Sequence, residues 1–174
     1  MPSLLLPDSE VVAPITCILS DVDGVMTDGR IVYDSHGVET KRFHVKDGVG
    51  IKAWMKSGFQ FGILTARTSS MVTQRAKELG IDQVQQGYED KLPAAIAMMK
   101  AMGCEPSQVC YIGDDLPDIP VMREVGLAVA PADASSDTRI AAHWILKNAG
   151  GDGALRELTE RLLRGKQRWE EHLR

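Results

Sequence analysis

The stretch Ile15-Thr16-Cys17-Ile18-Leu19-Ser20-Asp21-Val22-Asp23-Gly24-Val25 decides how the rest of the chain is read. Its apolar half is a buried strand. The strand delivers Asp21 and Asp23 to its C-terminal end, the end where open parallel sheets bind ligands. Residues two apart on a strand share a face, so the two carboxylates repel each other unless a cation sits between them. Such an ending suits a metal site or two-carboxylate chemistry and suits a packed core poorly.

Strand and helix signals alternate downstream. A loop bracketed by Gly24 and Gly29 leads to a β-hairpin, residues 30–33 and 39–45 around the turn Asp34-Ser35-His36-Gly37. Helices are expected over 47–57, from Ser69 or Ser70 to Leu79, and over 91–102, 117–125, 135–142 and 154–163, with Gly58, Gly80 and Gly103 ending the first three. Strands are expected over 59–65, 83–86, 108–112, 126–130 and 143–146. Repeated β-α units with short connections specify an α/β fold: a doubly wound, mainly parallel Rossmann-like sheet with helices on both faces and a β-hairpin inserted after the first strand. One domain over 1–174 is expected, with a core of about 15–163 and tails at 1–14 and 164–174.

Composition narrows the class. With 44% hydrophobic and 25% charged residues, the 174-residue chain has the make-up of a soluble globular protein. A net charge of −4, with no basic stripe interleaved with aromatics, argues against a nucleic-acid partner. No apolar stretch is long enough to cross a membrane. The run Leu4-Leu5-Leu6 lacks a basic flank and meets Pro7, so it does not read as a signal peptide. Cys17, Cys104 and Cys110 match no zinc spacing and read as packing residues of a protein kept in a reducing cytoplasm. His36, His44, His143 and His172 show no ligand spacing.

Three strands end in polar groups at one sheet edge: Asp21 with Asp23, then Thr65, then Asp114 with Asp115. Asp21, Asp23 and Asp114 can converge on one hard cation, and Mg²⁺ favours carboxylate oxygens together with water and phosphate. One carboxylate of the first pair can attack phosphorus while the other protonates the leaving oxygen and later activates water. A hydroxyl and an ammonium would complete such a site, and Thr65 and Lys91 can supply them. Taken singly, Thr65 is also a helix cap, Lys91 a solvated helix residue and Asp114-Asp115 an acidic turn. Their order and spacing together favour the site.

That order resembles the haloacid dehalogenase superfamily of phosphohydrolases, whose four motifs fall on Asp21-Val22-Asp23-Gly24-Val25, on Thr65, on Lys91 and on Gly113-Asp114-Asp115-Leu116-Pro117-Asp118. The resemblance covers about residues 15–163. It implies that Asp21 is the nucleophile and Asp23 the general acid/base, and that Thr65 and Lys91 bind the phosphoryl group. Mg²⁺ would be held by Asp21, Asp114 and the main-chain carbonyl of Asp23, with Asp115 and Asp118 behind them as ligands through water or partners of Lys91. Further stretches, Met26-Thr27-Asp28-Gly29, Lys46-Asp47-Gly48-Val49-Gly50-Ile51, Gln86-Gly87 before Asp90-Lys91, and Tyr111-Ile112, are similar to the 3-deoxy-D-manno-octulosonate 8-phosphate phosphatases. Members of that family lack a large cap domain. The resemblance implies a homotetramer in which hairpins build a small barrel and a neighbouring subunit closes each site, partly through a Gly-rich C-terminal segment like Gly150-Gly151-Asp152-Gly153 here. Only about 40 residues separate Asp23 from Thr65, room for a hairpin and a helix but not for a cap.

A sugar-acid phosphate carries a carboxylate beside its phosphate, so its site needs further cations, preferably a guanidinium. Arg67, directly after the Thr65 motif, matches the family's arginine and is expected to bind substrate. Lys46, leaving the hairpin, is expected to do the same, and Asp47 to cap a helix or join the site. Asp152 stands where the family often has arginine. That feature resembles phosphatases of nine-carbon sugar-acid 9-phosphates, whereas Arg67 points to the eight-carbon substrate. Two readings of other kinds stand beside these. A signalling receiver domain would place its acceptor Asp after the third strand, whereas the late acidic cluster here follows both Thr65 and Lys91. A non-catalytic regulatory or assembly module would not need all four motifs.

Overall fold

The computed structural model describes residues 8–174; the Leu4-Leu5-Leu6 run lies outside them. Strand β1 (Cys17–Ser20) is buried along its whole length and sits at the centre of a six-stranded parallel sheet. The other strands are β4 (Gln60–Thr65), β5 (Gln83–Gln86), β6 (Val109–Ile112), β7 (Leu127–Ala130) and β8 (Trp144–Ile145), in the order β5-β4-β1-β6-β7-β8. From β1 the chain builds outward on one side, then returns to build on the other. The reversal puts a crevice beside the C-terminal end of β1, the place where doubly wound sheets bind ligands.

Side-chain alternation along the strands feeds two cores. Ile18, Ile63 and Ile112 face α2 (Val45–Lys56), α3 (Ser70–Leu79) and α7 (Ala154–Gly165), burying Ile51, Trp54, Val72, Leu155, Leu158 and Leu162. Cys17, Leu19, Leu64 and Tyr111 face α4 (Lys91–Ala101) and α5 (Ile119–Met122), burying Ala95, Met98, Val121 and Met122. Both faces of the parallel sheet are therefore covered, which is why its strands are apolar throughout. Helix α6 (Ser136–Ala141) bridges β7 and β8.

The inserted hairpin is shorter than expected. Its strands are β2 (Val32–Tyr33) and β3 (Glu39–Thr40), paired Val32 to Thr40 and Tyr33 to Glu39. Asp34 closes its tip, the carboxylate accepting from the amides of His36 and Val38. With no third strand to pair with, the ladder ends after two residues a side, and the chain enters α2 already at Val45. Nothing larger stands between β1 and α2.

Both terminal expectations change. Residues 8–12 form a short helix, α1 (Asp8–Val12), held because Val12 and Ile15 are buried and because Lys166 Nζ donates to Ala13 O at 3.1 Å. At the other end, α7 runs to Gly165 and a 3₁₀ turn (Trp169–His172) folds back on the body. Trp169 is buried there, with the guanidinium groups of Arg156 and Arg164 4.8 and 5.5 Å from its ring centre, and His172 Nε2 lies 2.8 Å from Ser57 Oγ. An indole buries too much apolar area to remain on a solvated extension.

Asp47 caps a helix, though not its own. From the first turn of α2 it reaches the N-terminus of α7, accepting from Arg156 N at 2.8 Å. Burial pushes its carboxyl pKa up, and the Arg156 and Gly153 amides pull against that. Asp47→Ala strips α7 of this acceptor. The expected cost is about 1–2 kcal/mol, which lowers the melting temperature by roughly 2–8 °C for a chain of this size. Asp47→Asn, which keeps an acceptor oxygen, should lose less. Thermal unfolding followed by circular dichroism compares the two.

Candidate active site

The site gathers where β1, β4 and β6 end. Asp21 follows β1, and its amide donates to Ile112 O at 3.0 Å, fixing the carboxylate between the ends of β1 and β6. Thr65, the last residue of β4, is buried. Lys91 opens α4, and its side chain is only 3% exposed. A hollow of about 250 Å³ is lined by Asp21, Asp23, Thr65, Arg67, Lys91, Asp114, Asp115 and Asp118, with Gly29, Ala66 and Pro117. The fold therefore brings together every residue expected at the site except Lys46, which is exposed on the first turn of α2 and does not reach the hollow.

Lys91 Nζ lies 2.9 Å from Asp21 Oδ1 and 2.6 Å from Asp118 Oδ1. Asp118 is 1% exposed and fully occupied. Tyr111 donates its hydroxyl to Oδ1 at 2.6 Å, and the amides of Asp114 and Asp115 donate to Oδ2 at 2.9 and 3.2 Å. It thus ties β6, the following loop and α4 to one carboxylate. Asp115, on the wall of the hollow, caps its own 3₁₀ turn, accepting from Leu116 N at 2.8 Å.

Carboxylate oxygens of Asp21, Asp114 and Asp118 all lie within 4.8 Å of one another. Burial first, then the Asp118 charge, lifts the Asp21 pKa to about 6, with Lys91 pulling it down. Burial and the Asp21 and Asp118 charges lift Asp114 to about 8. Burial works against the Lys91 ammonium, but Asp21 and Asp118 outweigh it and raise its pKa. Three acids facing one ammonium leave an excess of negative charge that a hard divalent cation matches. Asp118 has no oxygen to spare, so Asp21 and Asp114 are the side chains that fit such an ion.

Backbone geometry supports that cluster. Gly24 has φ +92°, and a Cβ there would overlap Asp114 Oδ2. Only glycine lets the loop after β1 turn so close beneath this carboxylate. Gly150 and Gly151 press on the same loop: Gly151 N donates to Val25 O at 2.9 Å, and a Cβ at Gly150 would overlap Gly24 O. The Gly-rich segment thus braces the Asp21–Asp23 loop of its own chain. Asp152 points outward, 3.9 Å from His44 Nε2 and away from the hollow.

The Asp23 carboxylate faces the hairpin. Lys41 Nζ pairs with its Oδ1, and Arg67 Nε stands 3.8 Å from its Oδ2. Glu39 joins them, 2.7 Å from Arg67 Nη2 and 3.6 Å from Lys41 Nζ. Lys41 and Glu39 were not read as site residues from the sequence. Their signal was the strand alternation of Glu39-Thr40-Lys41, which turns both charges to one face.

Comparison with known proteins agrees with this geometry. Residues 87–158 match the model of the haloacid dehalogenase-like hydrolases. A 3-deoxy-D-manno-octulosonate 8-phosphate phosphatase of Yersinia pestis is 44% identical over 151 residues, 87% of this chain and 81% of that protein. The crystal structure of the phosphatase of that name from Moraxella catarrhalis, in complex with magnesium, phosphate and KDO, superposes with a TM-score of 0.92 at 40% identity, covering 95% of each chain. The cobalt-bound form of the Haemophilus influenzae phosphatase gives a TM-score of 0.89 at 36% identity over 91% of this chain and 93% of its own.

Proposed function

The chain belongs to the 3-deoxy-D-manno-octulosonate 8-phosphate phosphatases of the haloacid dehalogenase-like hydrolases, and from that premise we infer that it hydrolyses this sugar-acid phosphate to the free sugar acid and phosphate with Mg²⁺. The observation that carries the reading is the convergence of Asp21, Asp114 and Lys91 on one hollow beside Thr65. When bound, the cation supplies positive charge at the phosphoryl oxygens, and Asp21 and Asp114 are the side chains that would hold it.

We propose the following roles for the chain's own residues. Asp21 attacks phosphorus and the bond to the leaving oxygen breaks. That oxygen keeps the electron pair and takes the proton from Asp23. Water then attacks the aspartyl-phosphate, gives its proton to Asp23, and releases phosphate while restoring the Asp21 carboxylate. Lys91 holds Asp21 ionised and ready as a nucleophile through their 2.9 Å pair, and with Thr65 it binds the phosphoryl oxygens. Asp118 acts through Lys91 by fixing its ammonium. Arg67, held at the mouth by Glu39, is placed to take the substrate carboxylate.

Two proposals concern the setting. Ile31, Val32, Tyr33 and Val38 leave the hairpin's apolar side chains about half exposed, and the hollow is open. Both features support a homotetramer in which hairpins pack together and a neighbour closes each site, with Lys46 turned toward that neighbour. Three free, buried cysteines support a reducing cytoplasm as the setting, and one sheet with both faces covered supports a single catalytic domain. Among the described residues no helix is long and apolar enough to cross a membrane. Phosphate release from 3-deoxy-D-manno-octulosonate 8-phosphate tests the function. Activity should vanish on chelation by EDTA and return with Mg²⁺, and turnover that survives chelation would sink the metal-dependent reading.

A further inference from the structure

The hairpin carries a charge that the reaction as described does not use. The Lys41 side chain is 2% exposed, on a hairpin whose β2 side chains, Val32 and Tyr33, face outward. An ammonium is removed from water at high cost unless it is paired. Its partners are Asp23 Oδ1 and, at 3.6 Å, Glu39 Oε1. Among the described residues Asp23 has no comparably close cation on its other oxygen: Arg67 Nε is 3.8 Å from Oδ2, and Arg67 Nη2 is engaged by Glu39 at 2.7 Å.

We propose that Lys41 is a positioning residue for Asp23. By holding Oδ1, it leaves Oδ2 as the oxygen that exchanges a proton with the leaving group and with water. This rests on the role proposed for Asp23. The arrangement explains why so small a hairpin carries a buried ammonium: it reaches back from β3 to a side chain two residues past the nucleophile. Glu39 stands between the two cations, 3.6 Å from Lys41 Nζ and 2.7 Å from Arg67 Nη2, and holds Arg67 at the mouth. A carboxylate anchored on one oxygen loses the rotation that would turn it away from the substrate, which is the usual work of a supporting shell around an acid/base group.

Leaving-group chemistry separates this from a role in holding the hairpin. An aryl phosphate such as p-nitrophenyl phosphate expels a stable phenolate and needs little help from an acid. A sugar alkoxide needs that proton. The experiment measures kcat for p-nitrophenyl phosphate and for 3-deoxy-D-manno-octulosonate 8-phosphate with Mg²⁺ in wild type, Asp23→Asn, Lys41→Met and Lys41→Arg. Lys41→Met should lose about 10²-fold more on the sugar phosphate than on the aryl phosphate, in the range that positioned acid/base catalysis contributes. Lys41→Arg should recover most of it. Equal losses on both substrates for Lys41→Met, while Asp23→Asn discriminates between them, would overturn the positioning role. If Asp23→Asn itself failed to discriminate, the acid/base reading of Asp23 would fall instead. Should Lys41→Met not fold, Lys41→Gln carries the same comparison.

Discussion

Asp21→Asn should abolish phosphate release and leave a folded protein that is more stable without metal than the wild type. The proposed nucleophile is lost outright, and an amide oxygen does not replace it. Removing one member of a group that acts as a unit costs on the order of 10⁴-fold or more in kcat. The stability gain comes from the same crowding that makes the site work. The folded protein holds the Asp21 pKa at about 6 against its ordinary 3.8. In the metal-free protein the folded state therefore binds the extra proton more tightly than the unfolded chain does. Wild-type stability falls as pH rises from about 4 through about 6, and the full penalty is present above that. Asparagine carries no such penalty and still offers Lys91 an acceptor oxygen. Its advantage should be absent near pH 4 and fully developed at pH 7. Thermal melts in EDTA at the two pH values, beside a phosphate-release assay with Mg²⁺, read both effects. A variant that kept wild-type turnover would remove the covalent route.

The sheet and most of the site were legible in the sequence because their signals are local. Buried strands such as Cys17–Ser20 and Val109–Ile112 are continuous apolar runs that stop at acidic residues, and glycines close α3 and α4. What was not legible depends on contacts between distant segments. Asp47 looked like a cap for the helix beginning beside it, yet its acceptor goes to Arg156 on α7, a partner no local pattern reveals. The charged segment 164–174 has the composition of a tail, yet Arg156 and Arg164 flank the buried ring of Trp169 and hold that segment on the body. Lys46 and Lys41 show the limit most sharply. Lys46 lies on the first turn of α2, and the early start of that helix at Val45 turns it outward. Lys41, one residue past β3, reaches Asp23 instead.

Lys91→Met should reduce both activity and stability, and a divalent cation should restore part of the second only. Among the described residues Lys91 is the cation paired with the buried Asp21 and Asp118, with the half-buried Asp114 beside them, and its side chain is nearly without solvent. Asp118 survives the loss, since Tyr111 and two backbone amides still donate to it. Asp21 does not, because its paired ammonium is gone while Asp114 and Asp118 still crowd it. Removing one partner of a buried ion pair costs about 3–5 kcal/mol, so the melting temperature should fall by about 6 °C or more. Mg²⁺ would offset some of this at the remaining carboxylates, and the variant's melting temperature should rise more steeply with added Mg²⁺ than the wild type's. Turnover should stay down by about 10²–10³-fold even at saturating Mg²⁺, the usual cost of losing one fixed stabilising charge at a reacting oxyanion. Adding Asp118→Asn in the same chain closes a double-mutant cycle. If the two positions act as a unit, their combined loss of activity should be much smaller than the product of the single losses. Simple multiplication of the two would mean that Asp118 does not act through Lys91.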